Sequence, residues 1–376
     1  MIVWFRFQNY GSFWHNTLIS MQSGIYREHP EHLVPGPKGS LLKTLAIYGP
    51  NSSGKSQLIN ALAFYAAFVR RQLPFSPDSL WNLPGSGSLS GLSYSCCQNR
   101  NAAGSSPLSM SMCFFFHGHT FEYGFTLEED VLTEEYLIVN QTLLFQKDQT
   151  LLRPGKALRP LFKRDVQLHT SGSGLPVIFA YAPENMEEAL ESFAAFFREG
   201  SFFFLSRDSF RQLSDVSSLS ADKLLSGEKE QRFLLHHLKA MGLPASKEAL
   251  LTAPLSDGQQ KTLLFLHTLF SLSRTGGVVI ADDLTVFLHP NVSRYLVQLI
   301  QSPRNSNIQL LFTTHDTALL DHDLFRRDEA AIINLDAEGR SRIHTLADIR
   351  IRFDANFARE YLSGKYGLLP VWDQEE

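Results

Sequence analysis

Cysteine is scarce: the chain has three in 376 residues, two of them the neighbours Cys96 and Cys97, and no CxxC or Cys/His ligand spacing appears. That makes a poor disulfide framework and points to a reducing compartment, the cytoplasm. Long hydrophobic runs are also missing. No stretch of about eighteen uncharged apolar residues occurs, so no membrane span is expected. The opening MIVWF meets Arg6 and Asn9 at once, which leaves no apolar core and no cleavage site for a secretory leader. Neither sign of charge dominates: the formal net charge is -4, which gives no global attraction to nucleic acid and leaves only a local basic face as a route to it. With 44% hydrophobic and 19% charged residues, disorder and fibrous repeats are excluded, and the length suffices for one large domain or two ordinary ones.

What is present begins with alternation. MIVWFRFQNYGSFWHNTLISM reads as two short strands around a Gly-containing turn, and LKTLAIY as a buried strand. That strand runs into GPNSSGKS, after which Leu58, Leu62, Tyr65 and Val69 recur at helical spacing. Serine- and glycine-rich sequence from Pro84 to Pro107 is loop, and SMSMCFFF, HTFEYGFTL and EEYLIVNQTLLF return to strand character. Signals weaken from 146 to 245, where MEEALESFAAFFREG and EKEQRFLLHHLKAMG look helical between serine-rich loops; this section reads as a helical insertion. Lys147, Arg153, Lys156, Arg159, Lys163 and Arg164 outnumber the acidic residues of their stretch, but stacking aromatics are nearly absent, so a solvated loop is favoured over a nucleic-acid contact. In the final third, strands and helices alternate, with a polar cluster at the C-terminal end of each strand. A mainly parallel α/β sheet with its ligand site along one edge is expected.

Gly49, Gly54, Lys55 and Ser56 satisfy GxxxxGK[ST], the phosphate-binding loop. The loop Gly49, Pro50, Asn51, Ser52, Ser53, Gly54, Lys55, Ser56 and Gln57 would turn successive N–H groups toward a polyphosphate, at the positive end of the following helix. Lys55 would reach the β/γ-phosphates and the Ser56 hydroxyl would ligate Mg²⁺, which makes ATP and Mg²⁺ the expected cofactors. Such a loop needs a metal-ordering carboxylate at the end of another buried strand. VVIA leads to Asp282 and Asp283: Asp282 is placed to hold Mg²⁺ and Asp283 to orient the attacking water. His315 closes a third strand, IQLLFTTH, where it could meet the γ-phosphate or the lytic water. In LSDGQQ, Ser256, Asp257 and Gly258 precede a helix, an arrangement that suits a γ-phosphate but is equally an ordinary N-cap by Ser256 or Asp257.

Taken in order, GPNSSGKS, LSDGQQ, VVIADDLTVFLHP and LLFTTHD resemble the nucleotide-binding heads of ABC-class ATPases, the group of RecF-, Rad50-, SMC- and OLD-like proteins. FRFQNYGSF, HTFEYGFTLEEDVLTEEYL, TTHDTALLD, LFRRDEA and the closing YLSGKYGLLP narrow the resemblance to AAA/ABC-type ATPases of bacterial abortive-infection systems, the RloA and AbiL type. The resemblance covers about the first 145 and last 130 residues. It implies an α/β P-loop NTPase of ABC-ATPase head type, a mainly parallel sheet plus an antiparallel β lobe with a helical insertion. Residues 1–145 would form the N-terminal part of the head, 146–245 the insertion, and 246–376 the C-terminal part. It also implies that His315 is the switch histidine, that Ser256, Asp257 and Gly258 complete the site of a second subunit, and that Gln98 stands for the metal-contacting Gln of the loop between the lobes. Two departures stand out: Asp283 replaces the usual Glu, and Gln57 the usual Asn.

About 60 residues follow His315, too few for the nuclease domain of OLD-like relatives, so no such domain is expected. The expectation is therefore an ATP-hydrolysing switch in antiviral defence, a homodimer or higher oligomer through its heads, that controls a separately encoded effector, a toxin or RloB-like nuclease. Hydrolysis is expected to be slow. A RecF- or SMC-like DNA-maintenance ATPase would show a heptad arm or basic groove, and neither is evident; the strand pair at the N-terminus and the YLSGKYGLLP ending do not suit a transporter subunit. A nucleotide-dependent scaffold with little turnover remains the alternative that Asp283 keeps open.

Overall fold

The alternating FRFQ segment lies in β1 (Ile2–Gln8), which pairs with β2 (Thr17–Ser20) in an antiparallel hairpin. Here and below the chain is described from a computed structural model over residues 1–73, 106–162, 164–168, 172–197, 202–205, 227–252, 255–349, 351–352 and 354–367. A small hairpin, β3 (Leu33–Gly36) and β4 (Gly39–Leu42), leads into β5 (Thr44–Tyr48) and then α1 (Lys55–Gln72). The chain returns to the first sheet with β6 (Leu108–Phe116), β7 (His119–Glu128), β8 (Val131–Val139), β9 (Thr142–Asp148), β10 (Leu151–Pro154) and β11 (Val166–Gln167). The result is an eight-stranded antiparallel sheet in the order β11-β10-β9-β8-β7-β6-β1-β2.

Helices α2 (Leu175–Ala180) and α3 (Glu184–Phe197) follow, then β12 (Phe202–Leu205), α4 (Glu228–Ala240), α5 (Lys247–Thr252), α6 (Asp257–Thr275) and β13 (Gly277–Ala281). The last elements are α7 (Pro290–Gln301), β14 (Ile308–Thr313), β15 (Ala330–Leu335), β16 (Ser341–Thr345) and α8 (Phe357–Leu362). The second sheet runs β12-β13-β14-β5-β15-β16, parallel from β12 to β15, with β16 antiparallel at one edge.

The strands β5, β13 and β14 are buried at every position, as near-continuous apolar runs in a parallel sheet covered on both faces should be. Their side chains alternate between two cores. Leu45, Ile47, Val278, Ile280 and Ile333 face a core shared with α1, α3 and the antiparallel sheet, while Ala46, Tyr48, Val279, Ala281 and Ile332 face a second core with α4, α6 and α7. In the first core the α1 residue Tyr65 sits edge-on to Phe5 and stacks on Phe125, and Phe196 of α3 stacks on Phe114 at 4.0 Å. These aromatics lock α1, and with it the loop that precedes it, between the sheets.

The stretch 146–245, expected as a helical insertion, carries both strand and helix among the described residues. Its first part is β structure: β9 and β10 form a hairpin that extends the antiparallel sheet past residue 145, and β11 ends that sheet. FFFL of β12 pairs in parallel with β13 and forms the other edge of the main sheet. Among the described residues α2, α3 and α4 carry helix there, and Leu234 and Leu238 of α4 pack with α6 in the second core. A four-residue apolar run has no period that separates a buried strand from a helix. The hairpin was hidden for a different reason: its alternation stops at the two-residue turn, where sequence reads as loop.

Candidate active site

The chain leaves β5 at Tyr48 and curls through Gly49–Gly54 into α1. Gly54 stands at φ 108°, and a β-carbon there would lie 2.5 Å from Ser341 Oγ and 2.9 Å from Ser12 Oγ, so both conformation and space demand glycine. The loop is braced from three sides. Ser341, the first residue of β16, donates its hydroxyl to Ser53 O at 2.6 Å. Ser12, in the turn between β1 and β2, donates its N–H and hydroxyl to Gln57 Oε1 at 2.6 and 2.7 Å. Tyr361 of α8 sets its ring edge-on to Tyr48, at the start of the loop, at 6.1 Å.

Lys55, the first residue of α1, is buried and donates its ammonium to Gly49 O and Pro50 O at 2.9 and 2.8 Å. Burial pushes its pKa down, and the charges of Asp283 and Asp282 oppose that shift. Ser53 Oγ is buried without a hydrogen-bond partner. Asn51, Ser52 and Ser56 are exposed around the mouth of the loop. An inward lysine, an unpartnered hydroxyl and a helix N-terminus in one turn form a donor set that fits a polyphosphate.

Asp282 and Asp283 follow β13, and Thr313 at the end of β14 fixes both. Its hydroxyl donates to Asp282 Oδ1 at 2.5 Å and accepts the Asp283 N–H at 2.8 Å. Leu284 N–H donates to Thr313 O at 3.0 Å, so the carboxylate pair is stitched to the neighbouring strand. Asp283 has φ 51°, in the left-handed region where aspartate is tolerated better than most residues. His315 lies two residues past Thr313, with Nε2 4.0 Å from Asp283 Oδ1. Burial and then the Lys55 charge hold its pKa below the ordinary histidine value, against the pull of Asp283 and Asp282. The C-terminal ends of β5, β13 and β14, neighbours in the sheet, thus bring Lys55, Asp282, Asp283 and His315 into one electrostatic cluster.

Ser256 is the N-cap of α6 and forms a capping box with Gln259; Asp257 is the first helical residue and does not cap. A β-carbon on Gly258 would lie 2.5 Å from Phe287 O, so the start of α6 abuts the segment after the carboxylate pair. Among the described residues, no hydrogen bond or ion pair joins 256–258 to 49–57. The Gln57 side chain faces Ser12 and not the loop mouth, and Gln98 lies outside the described residues.

Three participants escape the sequence reading. Thr313 is signalled only by the TT of LLFTTHD. Lys261 of α6 donates to Asp283 O at 2.7 Å and Val286 O at 3.1 Å, and no local pattern marks it. Tyr361 sits in the closing YLSGKYG, and only folding reveals its ring contact with Tyr48 at the entry of the loop.

This topology and this edge define a P-loop NTPase of the ABC-ATPase head type. Residues 45–321 match the family described as "AAA domain, putative AbiEii toxin, Type IV TA system", and the chain belongs to that family of AAA-type ATPases. No curated protein matches the chain. Among solved structures it is similar to an SMC head bound to the C-terminal winged-helix domain of ScpA, with 11% identity, 93% of this chain and 99% of that one covered, and a TM-score of 0.48. It is similar also to the SMC head domain from Thermotoga maritima (12% identity, 92% and 98% covered, TM-score 0.47) and to one from Pyrococcus furiosus bound to the C-terminal domain of ScpA (10% identity, 93% and 97% covered, TM-score 0.43). Among the described residues no helix is long and apolar enough to cross a membrane.

Proposed function

We propose that the chain is an ATP-hydrolysing regulatory switch of a bacterial anti-phage, abortive-infection system, which closes over ATP as a homodimer or higher oligomer and so controls a separately encoded toxin or nuclease. The observation that carries the ATPase reading is the convergence of Lys55, Asp282, Asp283 and His315 at adjacent strand ends. The family's description, which names a toxin–antitoxin system, supports the defence setting.

In this reading Lys55 leaves the Gly49 and Pro50 carbonyls for the β/γ-phosphates, and the backbone N–H groups from Asn51 to Ser56 hold the remaining oxygens. Ser56 and Asp282 would hold Mg²⁺, which would supply positive charge to offset that of the phosphates. Thr313 keeps the Asp282 carboxylate aimed and, through the Asp283 amide, fixes where the second carboxylate hangs. Asp283 orients the attacking water, and His315, a mostly neutral imidazole at pH 7, senses the γ-phosphate. Ser256 and Gly258 of another copy cover the γ-phosphate from the far side. The short Asp283 side chain also favours slow turnover, under which the protein would act chiefly through the ATP-bound state.

Lys55→Ala tests the foundation. Calorimetry with Mg-ATP should show affinity lowered by at least about tenfold, since a charge-assisted contact to phosphate contributes well over 1 kcal/mol. Equal affinity in parent and variant would overturn the phosphate-loop assignment.

A further inference from the structure

Two segments from opposite ends of the chain meet over Gly54: the turn at Gly11–Ser12 and Ser341, the first residue of β16. Ser341 N–H donates to Ser12 O at 2.9 Å, and the two hydroxyl oxygens lie in contact. Gln57 seats the pair from α1. Its Oε1 accepts the Ser12 N–H at 2.6 Å, and a β-carbon on Gly11, which stands at φ 56°, would lie 2.4 Å from that oxygen. Ser341 is almost wholly buried, so bulk water does not compete for its hydroxyl.

That hydroxyl has one proton, and Ser53 O takes it at 2.6 Å. In a trans peptide the C=O and the following N–H point to opposite sides. A tether on Ser53 O therefore turns the Gly54 N–H away from Ser341. On that side, among the described residues, the N–H meets no acceptor. The tether matters because this peptide is easily flipped: rotation about Ser53 ψ and Gly54 φ reverses it, and glycine lacks the β-carbon that would resist. A flipped peptide would set a carbonyl oxygen where the N–H now points, against any anion bound there.

We propose that Ser341, seated by Ser12 and Gln57, is a positioning residue for the nucleotide: it holds the Ser53–Gly54 peptide with its N–H toward the polyphosphate and its carbonyl away from it. The inference rests on the phosphate-loop reading and adds to it a residue about 290 positions away in sequence. Backbone N–H groups of such a loop cradle the α/β-phosphates, which ADP and ATP share. Loss of the tether should therefore weaken both nucleotides alike.

The test is calorimetry on the full chain with Mg-ADP and Mg-ATP, the parent beside Ser341→Ala and Ser12→Ala. Ser341→Ala should raise Kd about tenfold for both nucleotides, the order expected for one misaimed donor to a charged group. Ser12→Ala, at a half-buried residue, leaves the Ser341 hydroxyl in place but removes its neighbour, and should raise Kd about threefold. Stoichiometry should match the parent in each, because a partly unfolded sample loses sites and not affinity. Parental Kd in Ser341→Ala, lowered stoichiometry at parental Kd, or a loss confined to ATP would overturn the proposal. If Ser341→Ala does not fold, Ser12→Ala decides by the same criteria. A parent that takes up neither nucleotide would sink the phosphate-loop reading and this inference with it, whereas a parent that binds beside an unaffected Ser341→Ala would sink the inference alone.

Discussion

Lys261 donates its ammonium to the backbone carbonyl of Asp283 at 2.7 Å and reaches Val286 O at 3.1 Å as well. The helix opened by Ser256 is thereby fastened to the segment that carries the second carboxylate. A displacement at the start of α6 must move Asp283 or break these bonds.

Burial lowers the Lys261 pKa from 10.5 to about 8, with Asp283 and Asp282 opposing the shift. Below about pH 8 the folded and unfolded chains both carry the proton, and the cost of burying the charge is fully present. Between about pH 8 and 10.5 the unfolded chain keeps a proton that the folded chain has shed, so this residue makes stability rise with pH. Denaturant unfolding of parent and Lys261→Met should therefore diverge: from pH 8 to pH 10 the parent should gain up to roughly 3 kcal/mol over the variant. A constant difference between them across that range would mean that the ammonium is not held as described.

The phosphate loop and the carboxylate pair are legible in sequence because each is local: GPNSSGKS and VVIADD carry strand, turn and chemistry within a few residues. Their supports are not. Ser12 and Ser341 meet over Gly54 across 329 residues, and Thr313 reaches Asp282 across 31. No periodicity reports contacts of that range. The β12 strand shows the same limit, since FFFL is an edge strand only by virtue of its register with Val278–Ala281.

Thr313→Val keeps the shape of the side chain but deletes its hydroxyl. Asp282 loses a donor and the Asp283 amide an acceptor, both beside a wholly buried position. A loss of about 1–3 kcal/mol of stability is expected in denaturant unfolding, with Thr313→Ser closer to the parent. ATP affinity should fall about tenfold in Mg²⁺, because one misaimed carboxylate contact costs roughly 1.4 kcal/mol, and much less in chelator. An equal fall in both conditions would place the effect on the fold and not on the metal-ordering carboxylate.

Asp283 stands at φ 51°, where Asn substitutes at little backbone cost and Glu at more, roughly 1 kcal/mol. A water-orienting group must come within about 2.6–3.2 Å of the water it activates, and glutamate reaches one methylene further. Asp283→Asn should lower kcat about 100-fold with ATP affinity nearly unchanged, and Asp283→Glu should raise kcat above the parent. Steady-state phosphate release measures all three. Equal rates would return Asp283 to a polar residue that merely ends the strand.

The last prediction concerns completion of the site. Ser256 and Gly258 share no hydrogen bond with the phosphate loop of their own chain among the described residues, and Gly258 is pressed against Phe287 O, where a β-carbon would lie at 2.5 Å. If these residues serve a γ-phosphate, they serve that of another copy, and closure then needs ATP and not ADP. Asp283→Asn, slow to hydrolyse, should accumulate as a closed dimer in Mg-ATP and show the doubled mass by light scattering. Adding Ser256→Arg puts a bulky charge at the junction; that double variant should remain a monomer while still binding ATP. Its lost N-cap costs about 1 kcal/mol, so thermal unfolding must first show that it stays folded at the assay temperature. A monomeric protein whose mass ignores ATP, or a double variant that doubles as readily as Asp283→Asn, would show that the start of α6 does not complete a partner's site. Should the chain form a constant oligomer, the ATPase rate decides instead: Ser256→Arg alone should abolish it, and an unchanged rate would leave Ser256 as nothing more than the cap of its helix.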